Sequence, residues 1–377
     1  MRNLIKLAGI LLCTIVFCAC SKKADTDGFS LENAKPVGQM ELMYANQFSV
    51  AHYEKGISLV TISDGEKYLL VPENENVEGL TGDITLIRTP ADNIYLAASS
   101  AMDMFSGIGA MGNIRATATL ERDWALPEVK EAMANEDILY AGKYSAPDYE
   151  LILSEGCGLA IESTMIYHKP EVKEQLERLG IPVLIERSSY ETHPLGRLEW
   201  VKLYGLLTGR EEEAERLFSE QVRLLDSITQ SGSTGKTAAF FYISSNGYAV
   251  VRKPGDYVSR MIELGGGEYI FSPEELNVDE NAQSTINMQF EVFYSEAAMA
   301  DVLIYNSTID GGMETLLQLT EKNSLLSEFK AVKTGDVWCT DKNMFQQTTG
   351  AAEVIREMNL IFTGEAEDNM EYFYRLK

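Results

Sequence analysis

The chain has 377 residues, 45% of them apolar, which is enough to build one large or two medium domains with real cores and argues against a disordered body. Asp and Glu number 57 against 32 Lys and Arg, a net charge of −25. Nucleic acid is a poor partner for such a surface, because that binding rests on clustered Lys and Arg releasing phosphate counterions; the charge favours solubility and says nothing of fold.

The first 19 residues read as an export signal, with Arg2 and Lys6 at the charged end and an apolar run from Leu7 to Phe17. That run is too short to span a bilayer. It ends in Val16-Phe17-Cys18-Ala19-Cys20, which resembles a bacterial lipobox, so that Cys20 becomes the lipidated first residue of the mature chain; a plain cleaved signal is the alternative. Residues 20–39 are polar and charged at their start, as a membrane tether should be. Once the signal is gone, only Cys157 and Cys339 remain besides Cys20, far apart in the chain, and two buried thiols are expected rather than a disulfide framework.

Residues 40–196 are expected to form a first lobe. Its leading part, 40–71, alternates apolar and polar residues around turn signals at Asn46-Gln47 and Ser63-Asp64-Gly65, which predicts two or three antiparallel strands. From Asn93 short apolar runs (Ile94 to Ala98, Ile138 to Tyr140, Leu159 to Ile161, Val183 to Ile185) alternate with helix-length stretches (Glu128 to Glu136, Pro170 to Leu179), the rhythm of βαβ units and a mostly parallel sheet. Residues 197–230 are a helical block, with Trp200, Leu203, Tyr204 and Leu207 on one face and Ala214, Leu217, Phe218, Val222 and Leu225 on another; Gly209 ends the first helix. This block is a connector. The pattern restarts in a second lobe, 231–377, with strands at Ala238 to Ile243, Tyr248 to Val251, Val302 to Tyr305 and Val337 to Cys339, and helices at Tyr257 to Leu264 and Thr349 to Phe362. The fold class is therefore α/β, two βαβ lobes bridged by helices with a cleft between them.

Two segments match across the lobes: Asp148-Tyr149-Glu150-Leu151-Ile152-Leu153-Ser154-Glu155 and Gln289-Phe290-Glu291-Val292-Phe293-Tyr294-Ser295-Glu296. Each runs through small residues into an apolar strand. In the first, Ser145 or Ala146 is expected to cap a helix, Pro147 to occupy its first turn and Glu150 to lie where the helix dipole favours a carboxylate. Taken singly, each glutamate is a good N-terminal helix charge; their matching context suggests one carboxylate presented by each lobe.

With those segments the chain resembles the solute-binding proteins, or periplasmic binding proteins, of bacterial ABC importers for iron-siderophores, haem and cobalamin. The resemblance covers about residues 80 to 365. It is carried by Gly142 to Glu150, similar to the family's Gly-x-aromatic-x-x-Pro-x-x-Glu, by Met288 to Glu296, by Ile262 to Ile270 with its Gly265-Gly266-Gly267-Glu268, and by Val332-Lys333-Thr334-Gly335-Asp336-Val337-Trp338. The resemblance implies an exported, lipid-anchored protein outside the cell membrane, with no catalytic chemistry and no cofactor of its own. It would capture a ferric siderophore or haem, with cobalamin as the alternative cargo, and pass it to a permease. By position, permease docking falls on Glu150 and Glu291, whose salt bridges to permease arginines would fix orientation.

The same resemblance places the ligand between the lobes, with Tyr144, six residues before Glu150, as a cleft aromatic; its second-lobe counterpart is Thr285, so a symmetric aromatic clamp is not expected. Asn246, Tyr248, Arg252 and Lys253 follow the first strand of lobe two. Arg252 and Lys253 are either a seat for a ligand carboxylate or phosphate or solvated loop charges. Arg197 and His193 enter the connector from lobe one and either reach the cleft, where His193 could ligate iron, or serve capping and packing. Gly232 to Thr237 mimics a P-loop, but Gln230 stands in place of its first glycine and a strand follows, so it is a linker turn. With only His52, His168 and His193, a dedicated zinc or manganese site is not expected. A secreted hydrolase is one rival, which no Gly-x-Ser-x-Gly, His-Glu-x-x-His or Cys-x-x-Cys supports, and a sensor or adhesion lipoprotein that keeps the bilobal fold without a permease is another.

Overall fold

The computed structural model describes residues 28–230, 232–272 and 284–377. The expected signal, Cys20 and the first part of the tether lie outside the described residues. An N-terminal sheet comes first, from β1 (Gly38–Gln39), β2 (Phe48–His52), β3 (Ser58–Ile62), β4 (Lys67–Pro72) and β5 (Ile84–Thr89), in that spatial order. In β3 Ser58, Val60 and Ile62 are buried while Leu59 and Thr61 are half-buried, the alternation of a sheet with one covered face. The antiparallel strands expected within 40–71 are β2 to β4. The sheet extends beyond them, because β5 returns parallel to β4 after a crossover through residues 73–83.

The first parallel sheet follows. It is built from β6 (Ile94–Leu96), α1 (Ser99–Gly107), β7 (Ile114–Thr117), α2 (Pro127–Ala134), β8 (Leu139–Tyr140), a hairpin of β9 (Gly142–Lys143) and β10 (Ala146–Pro147), α3 (Tyr149–Ser154), β11 (Leu159–Ser163), α4 (Pro170–Arg178) and β12 (Val183–Glu186). Strand order is β12-β11-β6-β7-β8, all parallel. Both faces are covered, so the strands are near-continuous apolar runs. Alternate residues divide between two cores: Leu159 and Ile161 on one face, Ala160 with Tyr95 and Val183 on the other.

The connector is a pair of helices, α5 (Pro194–Thr208) and α6 (Glu211–Thr229), with Gly209 at φ 70° ending the first as expected. The face expected on α5, Trp200, Leu203, Tyr204 and Leu207, is buried, and so is every other position of the helix except Leu206. One reason is the N-terminal segment, which lies on it. Glu199 accepts hydrogen bonds from the backbone N–H of Met43, Tyr44 and Ala45 at 2.8–3.0 Å, and Lys202 pairs with it at 3.2 Å. Glu191 likewise accepts from Asn46 and Gln47 and from Trp200 Nε1 at 3.0 Å. Two acidic side chains thus satisfy a run of donors that would otherwise be buried unmet.

Lobe two comprises β13 (Thr237–Ile243), β14 (Ala249–Arg252), α7 (Tyr257–Leu264), β15 (Glu268–Tyr269), β16 (Thr285–Met288), α8 (Phe290–Ala297), β17 (Val302–Tyr305), α9 (Leu316–Lys322), α10 (Lys330–Thr334), β18 (Val337–Thr340), α11 (Ala351–Thr363) and β19 (Phe373–Arg375). The centre β13-β17-β18 is parallel, whereas β14, β16 and β19 join antiparallel. One apolar cluster runs through the whole molecule, from Phe48 and Val60 by way of Trp200 and Leu203 to Phe240, Val258 and Ile355. No helix among the described residues is long and apolar enough to cross a membrane. Cys157 and Cys339 are buried and free.

Candidate functional site

Glu150 is the second residue of α3, and Glu291 is the second residue of α8. α3 leads into β11 and α8 into β17, each an inner strand with parallel neighbours on both sides, so the two carboxylates occupy equivalent places in the two lobes. Both are exposed, and neither makes a hydrogen bond or ion pair among the described residues. The expected cap is corrected. Ala146 and Pro147 belong to β10, and Asp148 caps α3 by accepting from Leu151 N–H at 3.0 Å. The turn before it is tight enough that a Cβ on Gly142 would lie 2.7 Å from the Ala146 carbonyl oxygen, at φ 82°. Tyr144 sits half-buried at the tip of this hairpin, just ahead of Glu150.

In lobe two, Asn246 is exposed in the β13–β14 turn, and Tyr248 is tied to the start of α8 because Gln289 Nε2, beside Glu291, donates to its hydroxyl at 3.2 Å. Arg252 and Lys253 lie at the opposite end of β14 and do not join them. Neither is a solvated loop charge. Arg252 is largely buried, pairs with Asp256 at 3.7 Å and donates to Ser284 at 3.3 Å; Lys253 is buried and its backbone N–H donates to the Ser284 carbonyl. Sequence adjacency suggested two available cations, but Asp256 has claimed the first.

The crevice between connector and lobe two is built where the first turn of α5 meets the first turn of α7. The Arg197 guanidinium lies over the Tyr257 ring at 4.0 Å, and that of Arg252 lies 5.7 Å from the same ring and 5.5 Å from Phe345. Glu186, at the end of β12, and Asp256 complete a balanced set of two acids and two arginines. Burial holds both carboxyls above their usual range, opposed for Glu186 by its hydrogen bond to Ser188 and by Arg197, and for Asp256 by Arg252. A cavity of about 10 Å³ opens here, bounded by Arg197, Tyr257, Met344, Gln347 and Thr348. Tyr257, Asp256 and Gln347 carried no signal in the sequence that set them apart.

His193 takes the capping and packing role. Its Nδ1 accepts from Leu195 N–H at 3.1 Å, capping α5, its ring stacks on Tyr44 at 4.2 Å, and burial lowers its pKa to about 4. Arg115 is spent on Glu155 and on the carbonyls of Glu136 and Asp137. The lobes also touch through the segment before α11. Gln346 accepts from Ala125 N–H at 2.6 Å and donates to the Asp123 carbonyl, Thr348 donates to the Ser100 carbonyl, and Thr349 N–H donates to Asp103 at 2.7 Å.

Beneath α3 lies an acid that the fold does not pair. Glu162, in β11, is fully buried, and both of its oxygens lack hydrogen-bond partners among the described residues, as does the hydroxyl of nearby Tyr95. Burial pushes its pKa up to about 8.

Comparison with known proteins places this geometry. A family described as periplasmic binding protein matches residues 95–344, beginning just after the N-terminal sheet. An uncharacterised lipoprotein of Methanocaldococcus jannaschii is 23% identical over 367 residues, covering 89% of this chain and 85% of its own. Among solved structures, a periplasmic binding protein from Veillonella parvula aligns with a TM-score of 0.60 at 17% identity, over 74% of this chain and 93% of that one. The periplasmic haem-binding protein of Vibrio cholerae aligns with a TM-score of 0.57 at 15% identity, over 70% and 97%. At such identities these structures speak for the fold.

Proposed function

The chain belongs to the periplasmic binding protein family, and from that premise we propose that it captures a metal chelate, a ferric siderophore or haem, between its lobes and delivers it to an ABC-transporter permease. The observation that carries this reading is the pair Glu150 and Glu291: two exposed carboxylates without partners among the described residues, each at the start of the helix that feeds an inner strand of its own lobe. A helix N-terminus stabilises a carboxylate but does not require one that is left unpaired on the surface. Placed once per lobe, the two can engage arginines on a partner and report how far the lobes stand apart. Lipidation at Cys20 would hold the protein at the outer face of the cell membrane, in keeping with the lipoprotein name of the archaeal relative.

In this reading the protein does no chemistry on its cargo. Arg197 and Tyr257 line the crevice and are the groups free to bind there, while Tyr144 on the first-lobe hairpin and Asn246 and Tyr248 on the second-lobe turn stand beside the two glutamates as further proposed contacts. The test is an absorption titration of the mature protein with haem, cobalamin and ferric siderophores, whose bands are distinct. A saturable shift with haem or a ferric siderophore is expected; a response to cobalamin alone transfers the protein to corrinoid transport, and no response to any of them sinks the chelate reading.

A further inference from the structure

Arg197 is 8% exposed, yet among the described residues its guanidinium makes no hydrogen bond and no ion pair, and its Nε is buried with no acceptor. An arginine carries five N–H donors in a fixed plane, and burying them unmet is costly. The Tyr257 ring holds one face of that plane at 4.0 Å. The stack orients the guanidinium without occupying its edge, which is where hydrogen bonds form. The other arginine of the cluster differs in this respect, since Arg252 is used up by Asp256 and Ser284.

The cavity beside Arg197 has a second unmet group. The Gln347 side-chain oxygen is buried without a partner on the same wall, and turning the amide over presents its two N–H donors instead. At about 10 Å³ the space takes a single small polar group. A planar fork, a stacking ring and an adjacent amide converging on that space match a carboxylate oxygen better than a neutral acceptor, because a charged acceptor makes the stronger bonds and fits the fork in two places. The wider charge favours the same design: a chain of net charge −25 repels an anionic solute at a distance, so an anion that binds needs a fixed local cation.

We infer that Arg197, oriented by Tyr257 and supported by Gln347, is the receptor for a carboxylate of the transported chelate, which makes the cargo a carboxylate-bearing complex rather than a neutral one. The inference rests on the chelate-binding reading and narrows it. Arg197 is a binding residue and Tyr257 a positioning residue.

The test uses the full mature protein and two matched comparisons: haem against its dimethyl ester, which keeps the flat iron porphyrin but caps the propionates, and ferric citrate against an uncharged ferric trihydroxamate. At least one carboxylate-bearing member should bind at least about tenfold more tightly than its neutral counterpart, and Arg197→Gln should erase that gap. Arg197→Lys, which keeps the charge but loses the fork and the stack, should restore only part of it. Equal binding within both pairs, binding of neutral members alone, or a full gap retained in Arg197→Gln each overturns the assignment while leaving chelate capture intact. Binding of nothing in the panel overturns both. The acid–ester comparison on unaltered protein decides the matter even where the buried substitution fails to fold.

Discussion

Replacing Glu162 by Gln should stabilise the protein, and by an amount that grows with pH. The unfolded chain releases the Glu162 proton near the ordinary value of 4.5, whereas the folded protein keeps it until about 8 because neither buried oxygen has a partner. Between those values the folded state holds one more proton than the unfolded state, so stability falls as pH rises, by about 1.4 kcal/mol per unit. At pH 7 the accumulated cost is about 3 kcal/mol, and beyond pH 8 it stops growing. Glutamine has the same shape and nothing to ionise. Urea unfolding of both proteins at pH 5, 6, 7 and 8 should give a difference below about 1 kcal/mol at pH 5 that widens to about 3 kcal/mol at pH 7. The comparison cancels the other titrating groups, which are shared. A difference that stays flat across the range, or a less stable variant at pH 7, would show that Glu162 is paired or solvated in the folded state and refute the reasoning.

Charge reversal of Glu150 and Glu291 together should abolish uptake in cells while leaving the affinity of the purified protein for its ligand unchanged; single reversals should have partial effects, since an exposed ion pair is worth about 0–1 kcal/mol. Surviving uptake would remove the docking role. Glu199→Ala strands the N–H groups of Met43, Tyr44 and Ala45 and leaves Lys202 to Glu215 and the Glu41 carbonyl, and should cost about 3 kcal/mol and open residues 40–47 to proteolysis. Gly267→Ala would set a Cβ 2.5 Å from the Phe362 ring, which is rigid and buried, and should lower thermal stability by about 1–3 kcal/mol; an unchanged melting temperature would mean that α11 gives way freely.

The parallel sheets were legible because strands buried on both faces must be continuous apolar runs, and Val302–Tyr305 and the helix Tyr257–Leu264 fall where periodicity put them. The short strands β15 and β19 leave little pattern to recognise, and β5, six residues long at a sheet edge, buries only Ile87 and so shows no alternation. Pro147 misled in a specific way. It can open a helix, but here its fixed φ suits an edge strand equally well, and the side chain of Asp148 decides the matter by capping. Glu162 was visible as an acid directly after the apolar run Leu159 to Ile161, where the strand was taken to stop. At the crevice, the pairing of Arg197 with Tyr257 joins residues sixty apart in sequence, and nothing local to either announces it. The Arg252–Asp256 pair was four residues long and still unread, since a strand end and a helix cap separate the two in kind.

The carboxylates of Glu191 and Glu199 that hold the N-terminal segment also set an order on folding. The segment they grip lies 144 to 156 residues earlier in the chain. A protein threaded outward from its N-terminus presents Met43 to Gln47 long before their acceptors arrive, so the leading sheet cannot seat itself until the connector has emerged and turned beneath it. An early stretch of the chain is therefore among the last to be locked in place.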